Sequence, residues 1–150
     1  MTPSLSNDVF NWPVLLLGGT TMMICLVVQA AFVVTVMTAF KSWIRSLVSV
    51  KKKLRAQAVF FFGILALLAS HLVQIFIWGT ALSTSGLVVN PHASMILAGS
   101  TYTTIGFATD TLPQQWQLLL VIMATSGFFG FGWSTSIMFN LSRFLYPMED

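Results

Sequence analysis

Charge is what this sequence most lacks. Asp, Glu, Lys and Arg make up 7% of its 150 residues, against roughly a quarter in an ordinary soluble domain. A separate water-soluble domain is therefore not expected. The chain has four acids and two histidines, and they are dispersed. No Cys/His set has metal-ligand spacing. Ser and Thr are plentiful, but no base stands at a plausible depth beside them. Enzyme activity is not expected, and no cofactor is implied. The single cysteine, Cys25, excludes an intramolecular disulfide and reads as a small buried hydrophobe. The opening residues "MTPSLSNDVFNWP" contain no Lys or Arg. They lack the basic region of a secretory leader, and the apolar run after them is too long for one. The whole chain is expected to be retained.

What is present is hydrophobic length. Hydrophobic residues reach 56% and the mean hydropathy is +0.84. Runs beyond about 18 apolar residues read as membrane spans. Three occur, at about residues 12–40, 56–82 and 115–144. The expectation is an all-α integral membrane protein. Residues 1–55 form a first span with its connector, and residues 56–150 form a second domain. The segment 90–103 is too short to cross a bilayer at about 1.5 Å per residue. Asn90 is a good N-cap and Pro91 suits the first helical position. A half-length helix entering from one side fits, and its end would lie at membrane depth. Irregular backbone is tolerated there only when buried in protein or lining water.

The net charge of +3 does not point to nucleic acid, because of where it sits. Lys41, Arg45, Lys51, Lys52, Lys53 and Arg55 share one connector, and Arg143 ends the last run. Three spans place all seven on one side. By the positive-inside rule the N-terminus and the Asn90 loop are outside, and the C-terminus is cytoplasmic, in a plasma (inner) membrane. Trp12, Trp78 and Trp116 fall near the outer boundary and Trp43 near the inner one. Lys51, Lys52, Lys53 and Arg55 are a topology anchor that could also hold anionic lipid head groups, at about 1 kcal/mol per residue.

Polar residues inside the spans stand out. His71 and Gln74 lie one turn apart. They read as a structural interhelical pair, worth about 0.6 kcal/mol per bond, before a pH sensor. His92 falls in the first turn of the short helix and reads as solvated. Ser126, Gly130 and Ser134 recur every four residues, which suits close helix approach. Gly130 and Gly132 are candidate hinges, since glycine weakens a helix locally.

The stretch "AGSTYTTIGFATDTLPQQW" follows the short helix. Four copies of a Thr-x-Gly-aromatic-Gly loop can surround an axis, with carbonyl oxygens replacing the hydration shell of a cation. The short helix would aim the negative end of its dipole at that axis. The aromatic would wedge against surrounding helices. An extracellular hairpin would not account for the half-length helix before the loop.

"TYTTIGFATDTLPQQW" resembles the pore region of potassium channels. Thr104-Ile105-Gly106-Phe107-Ala108 stands where that family has Thr-Val-Gly-Tyr-Gly. "GFFGFGWSTSIMF" and "HLVQIFIW" resemble the inner and outer helices of small bacterial members. The resemblance covers roughly residues 56–144 and leaves out the first span. It implies a homotetrameric, passive cation channel, with K⁺ at the carbonyls of Thr104 to Ala108. Thr103, Thr109 and Asp110 would support the filter, and accessory membrane subunits are conceivable partners. Two departures bear on selectivity. Phe107 lacks the phenol that braces the filter, and Ala108 replaces the second glycine. If that position needs positive φ, its Cβ costs about 1–2 kcal/mol in each chain. Asp110 is also displaced by one residue. Weakened K⁺ selectivity is the expectation. A non-conducting channel-like subunit, acting in assembly or sensing, is the alternative.

Overall fold

The computed structural model describes residues 11–46, 52–108 and 112–145. These residues are almost entirely helical, with no strand among them. Four helices follow in order: α1 (Trp12–Ser46), α2 (Lys52–Thr84), α3 (Pro91–Tyr102) and α4 (Leu118–Leu145), with a 3₁₀ turn at Gln114–Trp116 before α4. Three helices are long and apolar enough to cross a membrane. Both α1 and α2 run past the apolar segments into the basic connector. No Gly or Pro stops them there, and Lys and Arg are good helix formers. Before α4 the chain breaks at Pro113, whose φ of −55° and ψ of 146° lie outside the helical region.

Each long helix turns one narrow stripe inward. On α1 the buried positions are Val14, Gly18, Thr21, Cys25, Gln29, Val33, Val36 and Phe40, in steps of three and four that keep to one face. The opposite faces are no more polar. Leu16, Val27 and Val34 on α1, Phe62 and Phe76 on α2, and Phe128 and Phe139 on α4 are exposed. A helix apolar all round belongs in a protein interior or a bilayer.

The chain divides into two compact units. One comprises 1–25 and 74–128, and the other 26–73 and 129–150. The first holds α3 and its loop. Its core joins Trp78, Leu82, Leu97, Tyr102, Leu119 and Met123, with Val14 and Cys25. Trp78 Nε1 donates to Ser126 Oγ at 3.1 Å, so the buried indole keeps a partner. The second unit is built on Val33, Val36, Phe40, Val59, Leu67, Ile137 and Leu141.

Candidate functional site

The site begins at Asn90. Its backbone is extended, and its side chain accepts the His92 N–H at 2.9 Å. The Asn90 carbonyl takes the Ser94 N–H at 2.9 Å, and Pro91 opens the helix. Local sequence therefore starts α3 where capping chemistry places it. His92 is exposed in the first turn. The inward face carries Ser94, Leu97, Ala98, Thr101 and Tyr102.

The other end of α3 is closed by the loop that follows. Thr103 N–H donates to Gly99 O at 3.1 Å, Thr104 N–H to Thr101 O at 2.9 Å and Gly106 N–H to Ser100 O at 2.9 Å. Thr103 Oγ1 adds a bond to Gly99 O at 2.7 Å. Terminal carbonyls are thus satisfied by the loop itself, as helix C-termini require. Thr103 is the C-cap, and Thr104, the next residue, has φ +62°. Left-handed backbone just after a C-cap is the usual way to end a helix, but glycine normally supplies it. A β-branched residue there is an outlier, costing of order 1–3 kcal/mol. Its hydroxyl donates to the Thr103 carbonyl at 2.6 Å.

Backbone strain in the loop therefore falls on Thr104. The only positive φ values from Thr104 to Ala108 are those of Thr104 and Gly106, the latter +69°. Ala108 has no such φ, so the steric penalty anticipated for its Cβ does not arise in the chain. Its methyl is instead half-buried against the first core. Ile105 and Phe107 point outward, 69% and 70% exposed. Among the described residues Phe107 is therefore left largely uncovered. Thr109 and Asp110 lie outside the described residues.

Just before the loop, α3 and α4 approach backbone to backbone. A Cβ on Gly127 of α4 would strike the carbonyl oxygen of Tyr102, at the last turn of α3, and lie 2.9 Å from its carbonyl carbon. Only glycine allows this approach. The hinge candidates lie elsewhere: Gly130 is buried, and Gly132 is exposed with open space around it. Gly127 was legible only as one more glycine in a glycine-rich run. Beside the contact, the Thr101 hydroxyl is buried with no hydrogen-bond partner among the described residues.

The polar residues of the spans form a second group. Gln29 Nε2 donates to Ser134 Oγ at 2.8 Å, and Ser70 Oγ reaches Gln29 Oε1 at 2.9 Å. His71 Nε2 lies 3.0 Å from Ser134 Oγ. Ser134 Oγ accepts from Gln29 and also meets His71 Nε2, whose role as donor or acceptor is set by the ring tautomer. The imidazole stacks on Phe131, with centroids 4.3 Å apart. His71 thus meets Ser134 of α4. Gln74, its sequence neighbour one turn on, is buried in the other unit. Gln29 was missed because one amide in a long apolar run carries no spacing signal.

A third feature lies on the outer face of α4. Gly132, Ser136 and Asn140 are exposed and four residues apart, and Arg143 follows three on. Helical register aligns them along one stripe. Lys51 lies outside the described residues, as do the side chains of Lys52, Lys53 and Arg55. No group of three or more His, Cys, Asp or Glu able to hold a metal occurs among the described residues. No protein-family model, curated protein or solved structure matches the chain.

Proposed function

We propose that the chain is one protomer of a homotetrameric cation channel in a plasma (inner) membrane, with the loop from Thr103 to Ala108 facing the pore axis and K⁺ as the permeant ion. One observation carries this reading: a short, capped helix delivers a hydroxyl-rich loop whose backbone has positive φ at Thr104 and Gly106, with exposed side chains between and after them. Strained backbone of this kind clusters at functional sites. A single loop cannot coordinate an ion from all sides, and four-fold symmetry supplies the other three. Neighbouring copies would cover Ile105 and Phe107 and make the wedge that one chain lacks.

The α4 stripe supports the same reading. An amide or hydroxyl left in hydrocarbon without a partner costs several kcal/mol. Ser136 and Asn140 face outward on a helix able to span a bilayer, so they need water or a polar neighbour. A hydrated pore provides it. Transport would be passive, and orientation follows the basic residues, with the Asn90 loop outside and the connector cytoplasmic.

One observation favours a second reading, a non-conducting subunit of the same architecture. Ala108 turns its methyl to the core of its own chain, where the family pattern has glycine. Reconstitution separates the two. The channel reading expects a tetramer by native mass spectrometry and single-channel currents under a K⁺ gradient. A monomer or dimer without larger species refutes the pore. A silent tetramer selects the second reading.

A further inference from the structure

We infer that His71 is a positioning residue for the proposed pore: with Gln29 and Ser134 it forms a latch, released by a proton, that fixes which face α4 turns outward. The inference rests on the channel reading for its consequence in ion flow, whereas the latch itself is readable without conduction. Gln29 of α1, Ser70 and His71 of α2, and Ser134 of α4 all belong to the second unit. None of the four is more than 5% exposed. Ser134 Oγ accepts from Gln29 Nε2 at 2.8 Å and lies 3.0 Å from His71 Nε2. Ser70 Oγ fixes the same Gln29 amide from its other side, at 2.9 Å from Oε1. One hydroxyl of α4 is thus held by both of the other long helices.

Helical register gives that grip its consequence. Gly132 and Ser136 stand two positions either side of Ser134, about 160° round the helix from it. Both are exposed. Keeping Ser134 inward therefore keeps Gly132 and Ser136 outward, on the stripe that a hydrated pore would use.

A proton works against the latch. An ionisable residue within a membrane span is a functional candidate in its own right. A neutral imidazole can accept or donate at Nε2, but an imidazolium only donates. Once the ring is charged, its N–H and the Gln29 amide N–H both point at Ser134 Oγ. The face of Phe131, 4.3 Å away, attracts a cation, but that attraction is small against the cost of burying an uncompensated charge. No described residue is an acid, since Asp8, Asp110, Glu149 and Asp150 lie outside the described residues. The other charges on the three helices have the wrong sign. Lys41 and Arg143 are exposed, about 18 Å and about 14 Å along their helices from Gln29 and Ser134. Lys52 and Arg55 stand more than four turns back along α2. An imidazolium is therefore better accommodated where water reaches it, with Ser134 let go. A ligand that prefers one of two states shifts the population toward it, and here that ligand is the proton.

The test uses the full chain without an affinity tag, in detergent for thermal melts and in liposomes for K⁺ flux, at about pH 7.5 and about pH 5.5, either side of the ordinary imidazole range. His92→Gln leaves His71 as the sole imidazole. This protein should melt about 4 °C lower at the acid pH, the shift implied by about a tenfold fall in the folded-to-unfolded ratio. Its flux should fall at least fivefold. His71→Gln and His71→Asn keep hydrogen-bonding groups that do not titrate, and either should remove both responses. An unchanged melt of His92→Gln overturns the inference, and so does a pH response that survives in a folded His71 variant. A melt response without any change of flux in a conducting protein also overturns it, because the latch then does not position α4. Absence of flux at both pH values in the parent refutes the pore reading instead, and the melts then decide the latch alone.

Discussion

Gly127→Ala is the most direct perturbation of the loop's support. The added Cβ lies 2.9 Å from Tyr102 C and 3.2 Å from Tyr102 Cδ2, against about 3.5–4.0 Å for an ordinary carbon–carbon contact. Its nearest neighbour is the Tyr102 carbonyl oxygen. This is backbone, and no side-chain rotation moves it aside. Relieving the carbon contact alone parts α3 from α4 by about 0.6 Å. A gap of 0.5–1 Å forfeits a quarter to a half of each dispersion well around it. Overpacking of this kind destabilises by roughly 1–3 kcal/mol. Gly132→Ala is the control. Nothing lies within 4 Å of its Cβ, so helix propensity should stabilise it by up to about 1 kcal/mol. Thermal melts in one detergent should therefore move in opposite directions. Flux from liposomes should fall for Gly127→Ala, since Tyr102 immediately precedes the loop. If Gly127→Ala melts and conducts like the parent, the contact does not position the loop and the reasoning fails.

Other outcomes follow from the same geometry. Thr104→Gly removes a side chain from left-handed backbone, and should raise stability by about 1 kcal/mol while lowering flux; an unchanged melt would show that Thr104 is unstrained. Ala108→Gly deletes a methyl that packs on the core. Stability should fall by about 0.8 kcal/mol, and a melt equal to the parent's would show that the methyl does not pack on the core. Ser134→Ala withdraws the partner shared by Gln29 and His71. At about 0.6 kcal/mol per membrane hydrogen bond the loss should be about 1 kcal/mol, and a melt equal to the parent's would mean the cluster is not coupled to folding. In sealed right-side-out vesicles an impermeant thiol reagent should label Ser85→Cys and not Ser49→Cys; the reverse pattern inverts the topology.

Some of this protein was legible in its residues alone. The three long helices follow from apolar length, which is a property of composition. The start of α3 follows from Asn90 and Pro91, and the break before α4 from Pro113, because capping and the proline ring act within a few residues. A loop after α3 was legible too, as a hydroxyl-rich interruption between apolar runs, whereas the exposure of Ile105 and Phe107 was not. Which faces meet was not. These helices are apolar on every side, so periodicity does not distinguish an inward stripe from a lipid-facing one. Only the tertiary structure brings Gly127 against Tyr102 and sets Gln29 beside Ser134 and His71. It also decides where the loop's strain falls. The family pattern drew attention to Ala108, whereas the geometry of ending α3 puts the left-handed residue at Thr104. Local chemistry determines where each helix begins and stops. Contacts between residues distant in sequence decide what those helices hold in place.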